Sequence, residues 1–297
     1  MRVIHDLGKT ITISGRSHEL LRYDYESKRP AEESPKPYIH PLRSLAGDVV
    51  TGFRPTDHPW HHGLSMTMAV LSEGNFWGGP SYVDGQGYVM KQNHGRIVHS
   101  ELPLPFLRDD ECGFAGDVGW IGPDGRPWIR ETRRVSVPSV PGDATFYDVV
   151  FEMSLVNLRD VTLEFGSPTT EGRPNAGYGG LFWRGPRSFV GGTVQTTDHD
   201  GDDAAMGTRS PWLAFTGRHD GSNNDSTLVF VDGPSNPRHP TQWFCRAEPI
   251  PAVSFAFAFD SVLELAPGSS LDLSYRITVA NGALGRSEII EIASRAW

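Results

Sequence analysis

Gly119-Trp120-Ile121-Gly122-Pro123-Asp124-Gly125-Arg126-Pro127-Trp128-Ile129 is the part of the sequence that predicts the fold most directly. Pro and Gly occupy the positions where a tight turn needs them. Apolar runs stand on both sides of this turn, over residues 119–121 and 128–137. The pattern is typical of two antiparallel strands joined by a short loop. It therefore predicts a β-hairpin.

Strand-like runs separated by turn residues recur along the rest of the chain. Further hairpins are predicted to join 88–92 to 96–101 around Asn93-His94-Gly95, 146–156 to 161–165, and 211–216 to 227–231. Single strands are predicted over 20–25, 38–43, 64–68, 253–259, 262–265 and 271–279. Residues 286–296 alone have helical spacing, with Ser287 as the expected cap. These elements predict an all-β fold, a two-sheet antiparallel β-sandwich with a short C-terminal helix.

Composition limits the classes of partner and compartment. The 297 residues contain 38% hydrophobic and 21% charged residues, with no break that would mark a linker, so we expect one domain over 1–297. The net charge is −9 without a basic stripe, which argues against nucleic acid or an anionic membrane as partner. No apolar run approaches the ~20 residues that cross a bilayer. Two distant cysteines, Cys112 and Cys245, and no signal region favour a reduced, cytoplasmic protein.

The segment Asp57-His58-Pro59-Trp60-His61-His62-Gly63 places three of the eleven histidines within five positions. Imidazole changes its charge near neutral pH and is the commonest metal ligand, so this density favours a functional site over a core. Pro and Gly exclude a regular helix through the segment. If the run is extended, His58, Trp60 and His62 share one side and His61 faces the other. The alternative is that these polar loop residues only bond backbone groups.

Three other segments combine residues that bind small molecules. His40 and Arg43 end a predicted strand, and the alternative for them is an edge strand with Arg for solubility. A glycine-rich run, 171–184, carries Tyr178, Trp183 and Arg184, residue types that line sugar sites, although Trp183 could instead belong to the core. The proline-rich run 236–244 carries Arg238, His239 and Trp243 in what is either a binding loop or a polar surface loop.

The motifs His40 to Arg43, Asp57 to Gly63, Tyr178 to Arg184 and Asn236 to Phe244 occur in this order. Together they resemble a bacterial family labelled "methane oxygenase PmoA". The label does not suit this sequence, since a particulate methane monooxygenase subunit lies in a membrane. Members of the family tend to accompany sugar oxidoreductases and isomerases, which implies carbohydrate metabolism. The tail 265–277 is also similar to the closing strands of galactose-mutarotase-like β-supersandwiches.

The resemblance implies an enzyme acting on a small carbohydrate: a sugar, an oxidised sugar or a glycoside. His58, His61 or His62 would be acid or base, oriented by Asp57, with His239 as the opposing group. Mutarotase-like sites pair His with an acidic base, for which Glu171 is the candidate. Substrate contacts are expected from His40, Arg43, Trp60, Tyr178, Trp183, Arg184, Arg238 and Trp243.

Two alternatives stay open at this stage. In the first, His58, His62, His40 and His239 supply the ligands of a divalent Zn, Mn or Fe ion, which would polarise a keto-sugar for a lyase or hydrolase. No recognised ligand spacing marks such a site. In the second, the protein binds a carbohydrate without converting it, and the aromatic and Arg residues carry the function. The sequence leaves the sugar, the reaction and the oligomeric state open.

Overall fold

A computed structural model describes residues 1–26, 28–201 and 203–296. Its strands are β1 Arg2–Asp6, β2 Thr10–Ser14, β3 Glu19–Asp24, β4 Tyr38–Leu42, β5 Leu64–Met68, β6 Val70–Leu71, β7 Ser81–Val83, β8 Gly87–Val89, β9 Arg96–His99, β10 Leu104–Leu107, β11 Glu111–Ile121, β12 Pro127–Pro138, β13 Phe146–Asn157, β14 Leu163–Gly166, β15 Gly179–Arg184, β16 Thr193–Thr196, β17 Trp212–Arg218, β18 Asp225–Asp232, β19 Trp243–Arg246, β20 Ala252–Phe255, β21 Leu263–Leu265 and β22 Ser270–Asn281. The α-helix is α1 Arg286–Ala293, and 3₁₀ turns lie at Ala31–Glu33, Arg187–Phe189 and Asp203–Ala205.

Two large antiparallel sheets form most of the molecule, and two smaller sheets, β21-β14-β6 and β7-β8, accompany them. The first large sheet has the order β1-β2-β3-β4-β5-β15-β20-β19, and the second the order β10-β11-β12-β13-β22-β18-β17-β16 with β9 beside β11. Buried apolar side chains from both sheets, such as Leu64, Trp183, Phe230 and Tyr275, make one continuous core. The predicted all-β, two-sheet antiparallel sandwich is confirmed. Prediction of a single domain over 1–297 includes residues 27, 202 and 297, which lie outside the described residues, and it stays a prediction.

Of the four predicted hairpins, two form and two do not. Strands β11 and β12 pair from Glu111 to Pro138 around the 122–126 turn, which is closed by a hydrogen bond from Gly122 N to Arg126 O of 2.8 Å, so this hairpin is confirmed. The β17–β18 hairpin is also confirmed. Prediction of a hairpin at residues 93–95 is wrong, because β8 pairs with β7 and β9 pairs with β11. Gly95 lies against the Phe76 ring, and this contact replaces the local turn.

The predicted pairing of 146–156 with 161–165 is also wrong. Strand β13 pairs with β12 and β22, whereas β14 pairs with β21 and β6. Asn157 explains the change of partner, since its amide donates to Val161 O at 2.9 Å and Leu265 O at 2.8 Å and directs the chain away from β13. The helix is shorter than predicted, and its N-cap is Gly285 rather than Ser287. No helix in the described part of the chain has the length and apolarity needed to cross a bilayer.

Candidate active site

The outer face of the first sheet carries a second apolar cluster, on the side away from the core. Side chains alternate along a strand, so on β15 Leu181 and Trp183 enter the core while Phe182 lies on the opposite face. Phe244 of β19 and Ala252 of β20 share that face with Phe182. Above them is a cavity of about 300 Å³, lined by His58, Trp60, His61, Trp77, Gly78, Pro80, Tyr88, Arg173, Tyr178, Phe182, Phe244, Arg246, Ile250 and Ala252. Its size falls at the lower end of ligand pockets.

The loop over residues 52–63 carries the histidine motif to this cavity. Gly52 N donates to Arg184 O and Arg184 N donates to Gly63 O, both at 2.7 Å, so both ends of the loop are fixed to β15. Gly63 has φ +51°, and a Cβ there would lie 2.2 Å from Ile39 O. Glycine is therefore required where the loop meets β4. A loop clamped in this way can hold its side chains in a fixed geometry over the sheet.

The motif turns instead of running extended. His61 N donates to His58 O at 3.0 Å, which brings the two imidazoles into a stack with centroids 4.7 Å apart and planes 22° apart. His58, Trp60 and His61 consequently line the cavity, and His62 does not. The prediction that His58, Trp60 and His62 share a side was wrong, since Pro59 restricts the backbone and the chain turns at this point.

Asp57 and His58 form a pair at the edge of the cavity. Asp57 Oδ2 lies 2.6 Å from His58 Nδ1, and the two side chains are 53% and 37% exposed. Although partial burial opposes ionisation of the carboxyl group, the hydrogen bond from His58 lowers the pKa of Asp57 below its usual value. An ionised Asp57 accepts a hydrogen bond from the Nδ1–H group of His58, which leaves the Nε2 atom of His58 for other partners.

His61 is buried and lies between the stacked His58 ring, Trp77 and Phe182. Arg184 Nη1 lies 3.3 Å from His61 Nδ1. Burial, together with the influence of the neighbouring His58 and the positive charge of Arg184, holds the pKa of His61 well below its usual value. A guanidinium can only donate, so Nδ1 accepts and the neutral ring carries its hydrogen on Nε2. His61 is therefore a neutral hydrogen-bond donor.

His62 belongs to a buried network beneath the loop. Its Nε2 lies 3.0 Å from Glu33 Oε2 and 3.1 Å from Pro59 O, and its Nδ1 has no hydrogen-bond partner among the described residues. Burial lowers the pKa of His62 to about 3, helped by the charge of Lys36 and opposed by the bond to Glu33. Arg54 binds the same carboxylate through two bonds of 3.0 and 2.6 Å. In this geometry His62 contacts the loop from below and is not among the residues that line the cavity, and its predicted role as acid or base stays a prediction.

Glu33 and Lys36 lie in the network beneath the candidate site, and the sequence did not indicate them. Lys36 is buried, and its Nζ donates to the carbonyl oxygens of Glu33 at 3.0 Å, Ser34 at 2.8 Å and Trp77 at 2.9 Å. These bonds tie the segment 33–36 to the Trp77 wall of the cavity. Both residues stand in a polar, Pro-rich run that reads as a surface loop, so no local signal could have shown that they are buried.

The other wall of the cavity is aromatic and basic. Tyr178 packs against Trp77 and Phe244, with ring centroids 4.5 and 5.4 Å apart, and its hydroxyl lies 2.9 Å from that of Tyr88. Arg173 donates to the Tyr88 hydroxyl. Among these wall residues, the sequence indicated only Tyr178. Arg173 stood inside the glycine-rich run, while Trp77, Tyr88 and Arg246 belong to no motif.

Several predicted site residues lie outside the cavity lining. His40 bonds Thr51 Oγ1 at 2.9 Å, and burial lowers its pKa to about 4. Arg43 donates to Gly47 O at 3.0 Å. Glu171 is exposed in a turn. Trp183 and Trp243 are core residues, and their indole N–H groups donate to Val50 O and Ser210 O respectively.

The proline-rich run 236–244 contributes Phe244 alone to the cavity lining. Arg238 donates to the backbone oxygens of Phe257, Ser261 and Val262. His239 Nδ1 lies 2.8 Å from Asp232 Oδ2. Arg238 and His239 thus fasten their own loop, and the structure does not bring them to His58.

The four histidines considered as metal ligands do not converge. His58, His62, His40 and His239 bond Asp57, Glu33, Thr51 and Asp232 respectively. Within the described residues, no group of three His, Cys, Asp or Glu side chains is arranged to hold a metal ion. The residues therefore do not fit a zinc, manganese or iron centre of the expected kind, and we derive no step through a metal.

Solved structures with similar folds include a galactose epimerase and an α-galactosidase. Galactose 1-epimerase from Lactobacillus acidophilus is 7% identical with a TM-score of 0.44, over 92% of this chain and 95% of the epimerase. A GH36 α-galactosidase from Geobacillus stearothermophilus is 11% identical with a TM-score of 0.42, over 93% of this chain. This chain spans only 41% of the length of that α-galactosidase. Such low identities and TM-scores do not carry function from those proteins to this one.

The sequence itself gives one family assignment. None of the curated proteins matches it significantly. No comparison confirms the label "methane oxygenase PmoA". Residues 10–294 match a described family over nearly the whole chain. The protein is thus a member of the family of unknown function DUF6807.

Proposed function

We propose that this protein is a carbohydrate-active enzyme that moves a proton on a sugar bound in the cavity. One observation carries the proposal: the Asp57–His58 pair is stacked on the neutral donor His61 at an aromatic cavity. The two-sheet fold and the resemblance of the motifs to a family associated with sugar metabolism agree with it. The cavity supplies a base, a donor and apolar surfaces in one place.

His58 is the proposed base. Asp57 engages its Nδ1 at 2.6 Å, which favours the tautomer whose Nε2 lone pair is available to a substrate proton. When His58 takes up that proton, the Asp57 carboxylate stabilises the imidazolium that forms. Asp57 and His58 are partly exposed, so a proton taken from substrate can pass on to solvent.

His61 is the proposed electrophile. Its Nε2–H is fixed by the Arg184 bond to Nδ1, and its low pKa keeps the ring neutral. A neutral imidazole of this kind donates a hydrogen bond to an oxygen on which negative charge develops. The Arg184 guanidinium behind the ring strengthens that donor. A base and a neutral donor together suit proton abstraction beside a sugar carbonyl, as an epimerase or keto-sugar lyase requires.

The aromatic lining favours a sugar as substrate. Trp60, Trp77, Tyr178 and Phe244 surround the cavity, and flat aromatic faces cover the C–H surface of a pyranose ring. Close packing fixes the position of Trp60, because a Cβ at Gly79 would approach its ring to 2.5 Å. A cavity of about 300 Å³ accommodates a single small ligand.

The test is proton exchange followed by NMR in D₂O. A panel of aldoses, ketoses and keto-sugars is incubated with the wild-type protein, and loss of the C–H signal next to the carbonyl reports proton abstraction. We expect His58→Gln to slow exchange by about 100-fold or more. Asp57→Asn should fall between that variant and wild type, since it removes the orienting charge but leaves the imidazole. His199→Gln, outside the cavity, is the matched control and should keep the wild-type rate.

Wild-type exchange rates in His58→Gln would refute the proposal. The same panel also separates the alternative, a protein that binds a carbohydrate without converting it, which the largely aromatic lining supports. In that case a sugar would bind the wild-type protein, no C–H signal would be lost after long incubation, and His58→Gln would bind as well as wild type.

A further inference from the structure

Beside the histidines, the cavity lining contains two guanidinium groups that make no ion pair with the described residues. Arg173, in the loop before β15, and Arg246, at the end of β19, both line the cavity and are half-buried. Arg173 stacks over the Tyr88 ring with its guanidinium carbon 4.7 Å from the centroid, and Arg246 lies 5.5 Å over the Phe244 ring. Stacking on aromatic rings fixes the direction in which each guanidinium points.

Both guanidinium groups lie next to neighbours of Tyr178: Arg173 donates to the Tyr88 hydroxyl, which is 2.9 Å from the Tyr178 hydroxyl, and Arg246 lies over the Phe244 ring, whose centroid is 5.4 Å from that of Tyr178. Burial raises the pKa of Tyr178 well above its usual value, and the charges of Arg173 and Arg246 both oppose this rise. The two charges therefore lie within electrostatic reach of the same hydroxyl. Tyr178 also lines the cavity, so the position where both cations act is part of the ligand space.

In the described part of the chain, neither Arg173 nor Arg246 has a carboxylate oxygen within 4.0 Å, whereas Arg54, Arg134 and Arg159 each have at least one. Arg184 adds a third positive charge behind His61, and the Asp57 carboxylate that attracts it is paired with His58. A cationic cavity in a protein of net charge −9 is a local feature, since the protein as a whole repels anions.

We propose that the ligand of this cavity is a sugar bearing an anionic group, which Arg173 and Arg246 bind at the Tyr88–Tyr178 rim. This inference rests on the proposed function and names its substrate class. The guanidinium fork binds carboxylate and phosphate oxygens equally well in geometry, so either a sugar acid or a sugar phosphate supplies the shared chemistry. Anchoring the anion at this rim leaves the sugar ring against the aromatic wall that ends at His61.

Calorimetry with matched pairs of ligands tests the proposal. D-glucuronate and D-galacturonate are compared with D-glucose and D-galactose, and with the two corresponding 6-phosphates, in a buffer free of phosphate, sulfate and carboxylate. We expect an anionic sugar to bind at least about tenfold more tightly than its neutral partner, and the preference to shrink as salt rises. Carboxylates and phosphates separate at this step, since whichever group binds more tightly identifies the source of the anion.

Variants assign the preference to the two arginines. The double variant Arg173→Met/Arg246→Met should lose the preference for the anion while binding neutral sugars as the wild type does. Arg246→Lys keeps the positive charge but not the guanidinium fork, so it should retain part of the preference for the anion. Because this substitution is conservative, it still tests the proposal if the double variant does not fold. Arg218→Met removes an exposed charge at the end of β17, outside the cavity lining, and should behave as the wild type.

Two results would overturn the anionic ligand: equal affinities for anionic and neutral sugars in the wild type, or a preference that survives in Arg173→Met/Arg246→Met. If neutral sugars then bind and His58→Gln abolishes C–H exchange, the proposed function stands and only the substrate class fails. If no sugar of either kind binds, both proposals fail together.

Discussion

The pH dependence of the unfolding free energy that His62 causes can be predicted with a definite magnitude. At mildly acidic pH, we expect His62 to be protonated in the unfolded chain and neutral in the folded protein. The imidazole is completely buried, and the described residues offer no acceptor for the hydrogen bond that a protonated Nδ1 would donate. Its folded-state pKa of about 3 lies below the ordinary value of 6.5, mainly because of burial. The stability that follows is fully present above pH 6.5 and is lost progressively as the pH falls towards about 3.

The size of the effect follows from the pH interval alone. At about pH 5 the unfolded chain has bound a proton at His62 and the folded protein has not. The interval of about 1.5 pH units below 6.5 corresponds to about 2 kcal/mol of lost unfolding free energy. This value does not depend on the exact folded-state pKa, provided that it lies well below 5. Buried His61 and the partly buried His40 and His99 also have lowered pKa values, so the wild type loses more in total.

The assay is urea unfolding of the wild type and His62→Gln at about pH 7.5 and about pH 5. We expect the variant to be less stable at the higher pH but to lose about 2 kcal/mol less than the wild type between the two. Phe53→Leu is the control: Phe53 contacts His62, with ring centroids 5.5 Å apart, and the substitution leaves the imidazole in place. It should show the wild-type pH dependence. Equal losses in the wild type and His62→Gln would refute the buried, neutral state and restore His62 as a candidate acid or base.

Three further substitutions are tested by urea unfolding. Gly79→Ala should destabilise by about 1–3 kcal/mol, because Gly79 has φ +65° and the new Cβ would lie 2.5 Å from the Trp60 ring; a shift in tryptophan fluorescence would report the displaced indole. Lys36→Met should cost about 3 kcal/mol or more, since three buried carbonyl oxygens lose their donor, and an unchanged stability would contradict the network. Ser254→Ala should be neutral or stabilising within about 1 kcal/mol, because the buried hydroxyl has no hydrogen-bond partner in the described structure, and a clear loss would show that it has one.

Local chemistry determined the parts of the fold that the sequence predicted correctly. The turn at 122–126 and the apolar runs beside it produce β11 and β12 because Pro and Gly restrict the backbone at the positions that a hairpin needs. The 93–95 and 157–160 segments have similar turn residues, yet their strands pair elsewhere. In both cases contacts with distant residues, Phe76 for Gly95 and Leu265 for Asn157, replace the local turn.

The same division holds for the candidate site. The sequence by itself determined the Asp57–His58 pair, since neighbouring residues in a short loop can bond without any help from the rest of the fold. Only the tertiary structure decided that Arg184 reaches His61 across 123 positions, that Glu33 bonds His62, and that Arg173 and Arg246 face one cavity. The physical reason is that strand register and burial determine which distant side chains converge, and neither can be predicted from the spacing of residues within a short segment.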